Sequence, residues 1–489
     1  MKYLLGIDFG GGASKATLID TDGNIIAEAS SEYPTLHPTH GACEQRPEDW
    51  IDALSQNTRE ILKSGIDSHD ILAVAIDSAT HSFLLCDGDF HPVTNCIHWT
   101  DTRSAAEANY LGETAGDEIF EKTYHHPSTI WTLPQLIWLK GAYPKEFSRG
   151  RYLFFEKDYI RYALTGIYCT DYIEAAGSML YNSKSGEWDE ALLSKASLGI
   201  ENMPPVLSPT DAAGVVTESA AALTGLAPGT KVICGTTDTA MEIFASGAVS
   251  CGDVTVKLAT AGRICVITDK AHPDAHLVNY PHICQGLWYP GTATKAAASS
   301  YRWYRDSFGG EYDTLNEEAA GVALGAEGLI FHPYLNGELT PYGDPKLSGS
   351  FTGLRSTHTK AHFTRAVLEG VALSLLDTKK YFEEIGVTLG DEATLIGGGA
   401  RGELWSKITA DVLGMRLKIT QSSDSSLGSA MLAGVAVGVF ESPSVAVQKC
   451  VKQSRTVEPC PENTAKYNEL YKKYKAIANA LQPIYDEFG

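Results

Sequence analysis

The 489-residue sequence has little positive charge: 39 Lys and Arg residues stand against 60 Asp and Glu residues, giving a formal net charge of −21. This deficit argues against nucleic acid or an anionic membrane surface as the main partner, because both attract basic proteins. The longest weakly apolar run, residues 427–440, is too short to cross a bilayer and predicts a buried helix. The first residues lack the apolar stretch of a signal peptide, so we expect a cytoplasmic protein.

Two further motifs are missing. The ten cysteines form no C-x-x-C pair, which argues against a zinc site or a disulfide framework and indicates buried thiols in a reducing compartment. No G-x-x-x-x-G-K-[ST] pattern occurs, which argues against a P-loop fold. What is present is a globular composition, 44% hydrophobic and 20% charged, sufficient for two to four domains.

The order of the predicted elements indicates an α/β protein with a repeated core. Short apolar strands at 3–8, 15–20 and 25–30 are separated by turn residues and precede a helix at 47–64 and a strand at 71–76. A strand, a small-residue turn and a second strand return at residues 253–268. This recurrence suggests a duplicated fold, with most of the negative charge in the first copy.

The turn after the first strand is a candidate phosphate site. Asp8 ends the strand, and Gly10, Gly11 and Gly12 follow, so a phosphate and its Mg²⁺ could approach backbone N–H groups beside a carboxylate. The alternative is a tight hairpin with a solvated Asp. Three glycines weaken a hairpin without adding packing, which favours the phosphate interpretation.

A second glycine cluster, residues 397–402, has the G-x-G-x-x-G spacing of a dinucleotide-binding loop. It lies between a predicted strand at 393–396 and a predicted helix at 403–413, and a further strand is predicted at 416–420. The acidic residue expected about 20 positions later is absent, since Thr420, Gln421 and Ser422 occupy that place. An NAD-dependent dehydrogenase is therefore retained only as an alternative from another class.

Asp238 and His81 are isolated polar residues with two interpretations each. Asp238 follows the strand at 232–235 and opens a small-residue helix at 240–248, a position suited to a general base or to a simple helix N-cap. His81 is a candidate ligand or a buried structural histidine.

Several longer motifs identify a known family. The segment Gly-Ser-Phe-Thr-Gly-Leu at 349–354, followed after seven residues by His-Phe-Thr-Arg-Ala-Val-Leu-Glu at 362–369, resembles the C-terminal pattern of the FGGY carbohydrate kinases. Residues 333–341 and 395–401 are similar to loops of xylulokinase-type members, and Trp-Thr-Asp-Thr-Arg at 99–103 is similar to the family's W-x-D-x-R stretch. The resemblance spans essentially the whole chain.

This resemblance implies an architecture and a reaction. It implies two actin-like (ribonuclease H-like) α/β domains, each a mixed sheet with flanking helices, with ATP and sugar in the cleft between them. Residues 1–244 would bind the sugar and residues 245–489 the nucleotide. The implied activity is phosphorylation of a hydroxyl of a small sugar, with Mg²⁺ and ATP as cofactors and a homodimer left open.

The resemblance also assigns residues. Asp8 corresponds to the carboxylate that organises Mg²⁺ and phosphate, and Asp238 to the catalytic base. The expected sugar-side residues are Thr80, His81, Asp101, Asp238 and Thr239. The expected ATP-side residues are Gly11, Gly12, Ser14, Lys15, Thr260, Ala261, Gly262, Gly398, Gly399 and Gly402.

Departures from the family pattern bear on the substrate. Ala79 and Thr80 replace Gln-Met, Thr239 replaces an Asn, Gln135 replaces a Lys, and Ala259 replaces a glycine of the second phosphate loop. A ketopentose such as xylulose is the first expectation. Ribulose, a deoxyketose, a polyol, gluconate or a small signalling sugar remain alternatives, as does a non-catalytic ATP-dependent switch of the actin or Hsp70 kind.

Overall fold

The computed structural model describes residues 1–487 and contains sheets and helices throughout. The strands, in chain order, are β1 Tyr3–Phe9, β2 Ala13–Asp20, β3 Ile25–Glu32, β4 Glu44–Gln45, β5 Ile71–Ser78, β6 Phe83–Cys86, β7 Cys96–Ile97, β8 Tyr152–Phe155, β9 Thr170–Asp171, β10 Tyr181–Asn182, β11 Glu187–Trp188, β12 Val206–Leu207, β13 Ala212–Val215, β14 Lys231–Ile233, β15 Thr236–Thr237, β16 Val254–Leu258, β17 Gly262–Val266, β18 Val278–Pro281, β19 Trp288–Gly291, β20 Ile330–His332, β21 Ser350–Thr352, β22 Glu392–Ile396, β23 Arg416–Thr420 and β24 Gln453–Val457.

The α-helices are α1 Pro47–Leu62, α2 Ala105–Thr123, α3 Thr132–Ala142, α4 Pro144–Arg149, α5 Glu156–Thr165, α6 Tyr172–Gly177, α7 Glu190–Lys195, α8 Glu218–Thr224, α9 Asp238–Ala245, α10 Ala298–Phe308, α11 Tyr312–Ala320, α12 Lys360–Glu384, α13 Glu403–Leu413, α14 Ser425–Ala436, α15 Pro443–Cys450 and α16 Pro461–Tyr485. In the described part of the chain, no helix combines the length and the apolar character that a membrane span requires.

The chain divides into two compact units. The first comprises Met1–Val249, Tyr280–Trp288 and Ser422–Val451, and the second comprises Ser250–Asn279, Tyr289–Gln421 and the chain from Lys452 onward. The units are thus discontinuous in sequence, and the functional domains predicted at residues 1–244 and 245–489 stay a prediction.

The main sheet of the first unit has the order β13-β14-β5-β1-β2-β3, with β15 also paired to β5. Strands β1, β2 and β3 form an antiparallel meander, while β5 runs parallel to β1 and β14 parallel to β5. Helix α14 packs on β1 at Gly6, where a Cβ atom would lie 2.0 Å from the Ser426 carbonyl oxygen. This contact explains the glycine in an otherwise apolar strand.

The main sheet of the second unit has the order β18-β19-β17-β16-β22-β23-β24. Its β16 and β17 form an antiparallel hairpin, and β22 and β23 extend the sheet in parallel from β16. The antiparallel hairpin followed by parallel strands repeats the arrangement of the first sheet. The mixed-sheet α/β fold with a duplicated core, predicted from the strand and turn pattern, is therefore confirmed.

Several element boundaries differ from the sequence prediction. Strand β2 begins at Ala13 rather than Lys15, which shortens the predicted glycine turn, because Phe9 and Ser14 are already paired in the β1–β2 ladder. The helix after Asp238 ends at Ala245, whereas the prediction extended it to residue 248. The apolar helix predicted at 427–440 is α14, and its residues 426–434 are buried.

Candidate active site

Two aspartates lie side by side at the carboxyl ends of parallel strands in the first unit. Asp8 of β1 and Asp77 of β5 are register partners, and their carboxyl groups interact electrostatically. Burial, followed by the charge of Asp8, raises the pKa of Asp77 well above its usual range, while burial also raises the pKa of Asp8. The interaction with Asp77 lowers the pKa of Asp8, whereas the interaction with Asp8 raises that of Asp77.

Asp238 is the first residue of α9, with Thr237 as the N-cap. Its Oδ1 atom accepts a hydrogen bond from the Thr80 hydroxyl at 3.0 Å and another from the Thr239 N–H at 2.6 Å. Both bonds converge on one oxygen of a carboxylate that stays partly exposed. The position therefore offers a fixed carboxylate whose second oxygen can accept a proton.

The side chains of the predicted sugar-side residues differ in their accessibility to solvent. His81 has a left-handed backbone with φ of 51°, its N–H donates to Glu174, and its buried ring packs on Trp131 at 4.9 Å. Burial lowers the pKa of His81 to about 3, so the ring is neutral at pH 7. Thr80, Asp238 and Thr239 lie together, whereas His81 is enclosed.

The Asp101 carboxylate forms structural contacts with neighbouring loops. It is buried, accepts a bond from the Cys43 N–H at 2.8 Å and pairs with Arg103 at 2.8 Å. Arg103 also pairs with Glu44 at 2.7 Å. Both Asp101 oxygens therefore have partners that hold the surrounding loops.

The glycine turn between β1 and β2 is an exposed hairpin tip. The Gly10 N–H donates to the Ala13 carbonyl at 3.0 Å, and the Tyr33 hydroxyl donates to the Gly10 carbonyl at 2.5 Å. A Cβ atom on Gly11 or Gly12 would meet only ordinary contacts, 3.8 and 3.9 Å away, and neither residue has a positive φ. Neither packing nor backbone conformation therefore requires a glycine at positions 11 and 12.

The other two predicted residues of this turn have different surroundings. Ser14 is fully buried, with its hydroxyl among the polar atoms that have no hydrogen-bond partner. Lys15 is exposed, lies opposite Asp8 in the β1–β2 ladder, and forms an ion pair with Asp424 at 3.4 Å. Lys15 is therefore the cation nearest in register to the Asp8 carboxylate.

In the second unit, the predicted loop at 259–261 is the exposed turn between β16 and β17. Arg302 of α10 donates to the Thr260 hydroxyl at 3.1 Å. The Gly262 N–H donates to the Thr294 hydroxyl at 3.0 Å, and a Cβ atom on Gly262 would lie 2.8 Å from that oxygen. Gly262 is thus required by packing, while Thr260 and Ala261 are accessible.

The glycine run at 397–402 packs partly on the same hairpin. A Cβ atom on Gly397 would lie 2.7 Å from the Leu258 carbonyl oxygen, and one on Gly399 would lie 2.5 Å from the Leu258 side chain. Gly398 is exposed with open space around it, and Gly402 has only ordinary contacts. Packing therefore explains Gly397 and Gly399, the first two glycines of the G-x-G-x-x-G spacing, without a dinucleotide.

The prediction missed the buried acids around Asp8 and Asp238. Asp77, Glu156 and Glu174 are all fully buried, and burial raises the pKa of each. For Asp77 a signal was present, since the apolar strands 3–8 and 71–76 both lead directly into an aspartate. Glu156 and Glu174 gave no such signal, because helices α5 and α6 bring them in from distant parts of the sequence.

Comparison with known proteins places these features in a family. Residues 3–245 match the family model for the N-terminal domain, and residues 247–437 the model for the C-terminal domain, of the FGGY family of carbohydrate kinases. A xylulose kinase of Bacillus subtilis is 31% identical over 98% of this chain and 97% of its own length.

Solved structures give the same result. A xylulose kinase from Rhodospirillum rubrum superposes with a TM-score of 0.93 at 27% identity, covering 99% of this chain and 100% of that one. A gluconate kinase from Lactobacillus acidophilus superposes with the same TM-score and identity over 100% of both chains.

Proposed function

Because this chain belongs to the FGGY family of carbohydrate kinases, we propose that it transfers the γ-phosphoryl group of ATP to a hydroxyl of a ketopentose, with xylulose as the first candidate. The observation that carries the proposal is the fixed Asp238 carboxylate, held at Oδ1 by Thr80 and by the Thr239 N–H. The xylulose kinases among the relatives support the choice of sugar.

Asp238 acts as the general base. It accepts the proton of a sugar hydroxyl at its free oxygen while the hydroxyl oxygen attacks the γ-phosphorus in line, forming one P–O bond as the bond to the β-phosphate oxygen breaks. ADP leaves with the electron pair of that bond. Positioning and charge neutralisation supply most of the rate enhancement in such transfers.

The nucleotide side is assigned to the glycine turns. Gly11 and Gly12 in the first unit, and Thr260 and Ala261 in the second, offer accessible backbone near exposed turns. We assign sugar binding to residues 1–244 and nucleotide binding to residues 245–489, with Gly11 and Gly12 as additional nucleotide-side residues from the first range. Gly398 has the open space that an adenosine moiety requires, and Gly402 has only ordinary contacts.

The residues present also fit a magnesium ion. Mg²⁺ binds carboxylate oxygens, and Asp8 offers a partly exposed carboxylate at a strand end beside the glycine turn. Asp77 adds a buried oxygen, Oδ1, that has no hydrogen-bond partner. When bound, the ion would neutralise phosphate charge, and Asp8 is the residue that would hold it.

The charges around Asp238 favour a neutral sugar. Four basic side chains among the described residues of the first unit already form ion pairs. These are Lys15 with Asp424, Lys157 and Arg161 with Asp158, and Arg103 with Asp101. The buried rings of His81, His98 and His125 have lowered pKa values and carry no charge at pH 7. A sugar carboxylate would therefore find no uncommitted cation among these side chains.

Gluconate is the second candidate, supported by the structural likeness to a gluconate kinase. We place the reaction in the cytoplasm, which supplies ATP. The ten cysteines are free, as expected in a reducing compartment.

A coupled ADP-release assay with Mg-ATP across ketoses, alditols and aldonates tests the function. We expect xylulose to give the highest kcat/KM. A higher value for gluconate would replace the substrate and keep the reaction class. ADP release no faster with any sugar than without one would overturn the kinase assignment.

A further inference from the structure

Two cysteines of the first unit share one arginine. Arg161 of α5 lies 3.0 Å from the Cys169 sulfur through Nη2 and 3.7 Å from the Cys234 sulfur through Nη1. The same guanidinium donates to the carbonyl oxygens of both cysteines. The two side chains, together with Ala213, also form their own small buried cluster. One fixed cation thus holds two thiols from distant parts of the sequence side by side.

The two thiols are not equivalent. The neighbouring Cys234 thiol, aided by the Arg161 charge, lowers the pKa of Cys169, whereas the neighbouring Cys169 and burial raise the pKa of Cys234. Cys169 is 2% exposed and Cys234 is fully buried. Cys169 is therefore the nucleophilic and more accessible member, and Cys234 stays protonated beside it.

Both cysteines lie in segments that lead to Asp238, the proposed catalytic base, through the chain or through a hydrogen bond. Cys234 lies four residues before Asp238, and Cys169 lies two residues before Asp171, whose Oδ1 accepts a bond from the Thr236 hydroxyl at 2.8 Å. Gly235 is packed so tightly on β5 that a Cβ atom there would lie 2.0 Å from the Ile76 carbonyl oxygen. A displacement of Cys234 is therefore passed along a rigid segment to Asp238.

We propose that Cys169 and Cys234 form a modification site, at which a hydroperoxide converts the thiol pair into a reversible disulfide that lowers turnover. The Cys169 thiolate attacks the hydroperoxide, forming an S–O bond as the O–O bond breaks and an alcohol or water leaves. The Cys234 sulfur then attacks the sulfenic sulfur, forming the S–S bond and releasing water. Two thiols are oxidised by two electrons in total, and one hydroperoxide is reduced.

The structure offers a reason for the loss of activity. The disulfide sulfurs must approach to about 2 Å. This is shorter than any non-bonded contact between two free thiols such as Cys169 and Cys234. The segments 169–171 and 234–238 must shift to reach that distance. The Thr80–Asp238 bond then loses its geometry.

The test is hydrogen peroxide treatment of the full chain, followed by peptide mapping and kinase assay. We expect a linked Cys169–Cys234 peptide, an intact mass lower by about 2 Da for the one bond, and turnover that falls in step with the link and returns with dithiothreitol. Cys234→Ala should prevent both the link and the reversible loss. Cys86→Ala, which removes another buried thiol, should behave as the unaltered chain does.

Two results would overturn the proposal. One is the absence of the linked peptide at a peroxide concentration that fully oxidises Cys251, which is exposed. The other is complete linkage with unchanged turnover. Because linkage is read by mass, this test remains decisive even if the chain phosphorylates a sugar other than xylulose.

Discussion

The Thr80 hydroxyl donates a hydrogen bond to Oδ1 of Asp238 over 3.0 Å. Thr80 follows β5, and Asp238 begins α9, so this bond joins two segments 158 residues apart in sequence. With the Thr239 N–H on the same oxygen, it fixes the direction in which the second carboxylate oxygen points.

Removing that hydroxyl should misplace the base. Thr80→Val keeps the side-chain shape and deletes the donor, so we expect kcat to fall about tenfold with little change in the KM for ATP. Thr80→Ser keeps the donor and should retain most of the turnover. Steady-state kinetics with xylulose checks both variants, and equal kcat values for the two would show that the hydroxyl does not position the base.

The Asp8–Asp77 pair predicts a pH-dependent stability. Because the folded pKa of Asp77 is raised, the stability that it contributes is present below its unfolded pKa of about 4 and is lost as the pH rises through the folded value. Asp77→Asn keeps an acceptor for the Ser429 hydroxyl and cannot ionise. The variant should therefore melt higher than the unaltered chain at pH 8, by about 2 °C or more, and equally at pH 4.

Melting curves of both proteins across this pH range provide the measurement. A constant difference between the two proteins at all pH values would mean that Asp77 does not change its protonation on unfolding.

The contact of β1 with α14 predicts a strong packing effect. A Cβ atom at Gly6 would lie 2.0 Å from the Ser426 carbonyl oxygen and 2.2 Å from the Ala430 nitrogen. Gly6→Ala should destabilise the protein by about 3 kcal/mol, because the opposing atoms are backbone and cannot rotate away. Gly112→Ala in exposed α2, where nothing lies within 4 Å, should be neutral or stabilising by up to about 1 kcal/mol. Denaturant titration compares the two, and a similar effect at both positions would contradict the packing described.

The sequence predicted the local features of this site better than its assembly. Glycine turns, apolar strands and Asp238 at a helix start follow from short-range rules, and α13 and β23 have the predicted bounds. The burial of His81 and the hydrogen bond from the Cys43 N–H to Asp101 depend on distant segments, which contain Trp131 and Cys43. Glu156 and Glu174 were missed for the same reason, since no local pattern marks a buried acid whose neighbours arrive through the fold.

The most direct test of the account is the turnover of Asp238→Asn in the coupled ADP-release assay with xylulose and Mg-ATP. Asparagine keeps the size of the side chain and an oxygen for the Thr80 hydroxyl but cannot take the sugar proton. We expect kcat to fall about a thousandfold, with the affinity for a non-hydrolysable ATP analogue changed by no more than about twofold. A variant that keeps more than about a tenth of the turnover would contradict the role of Asp238 as the base.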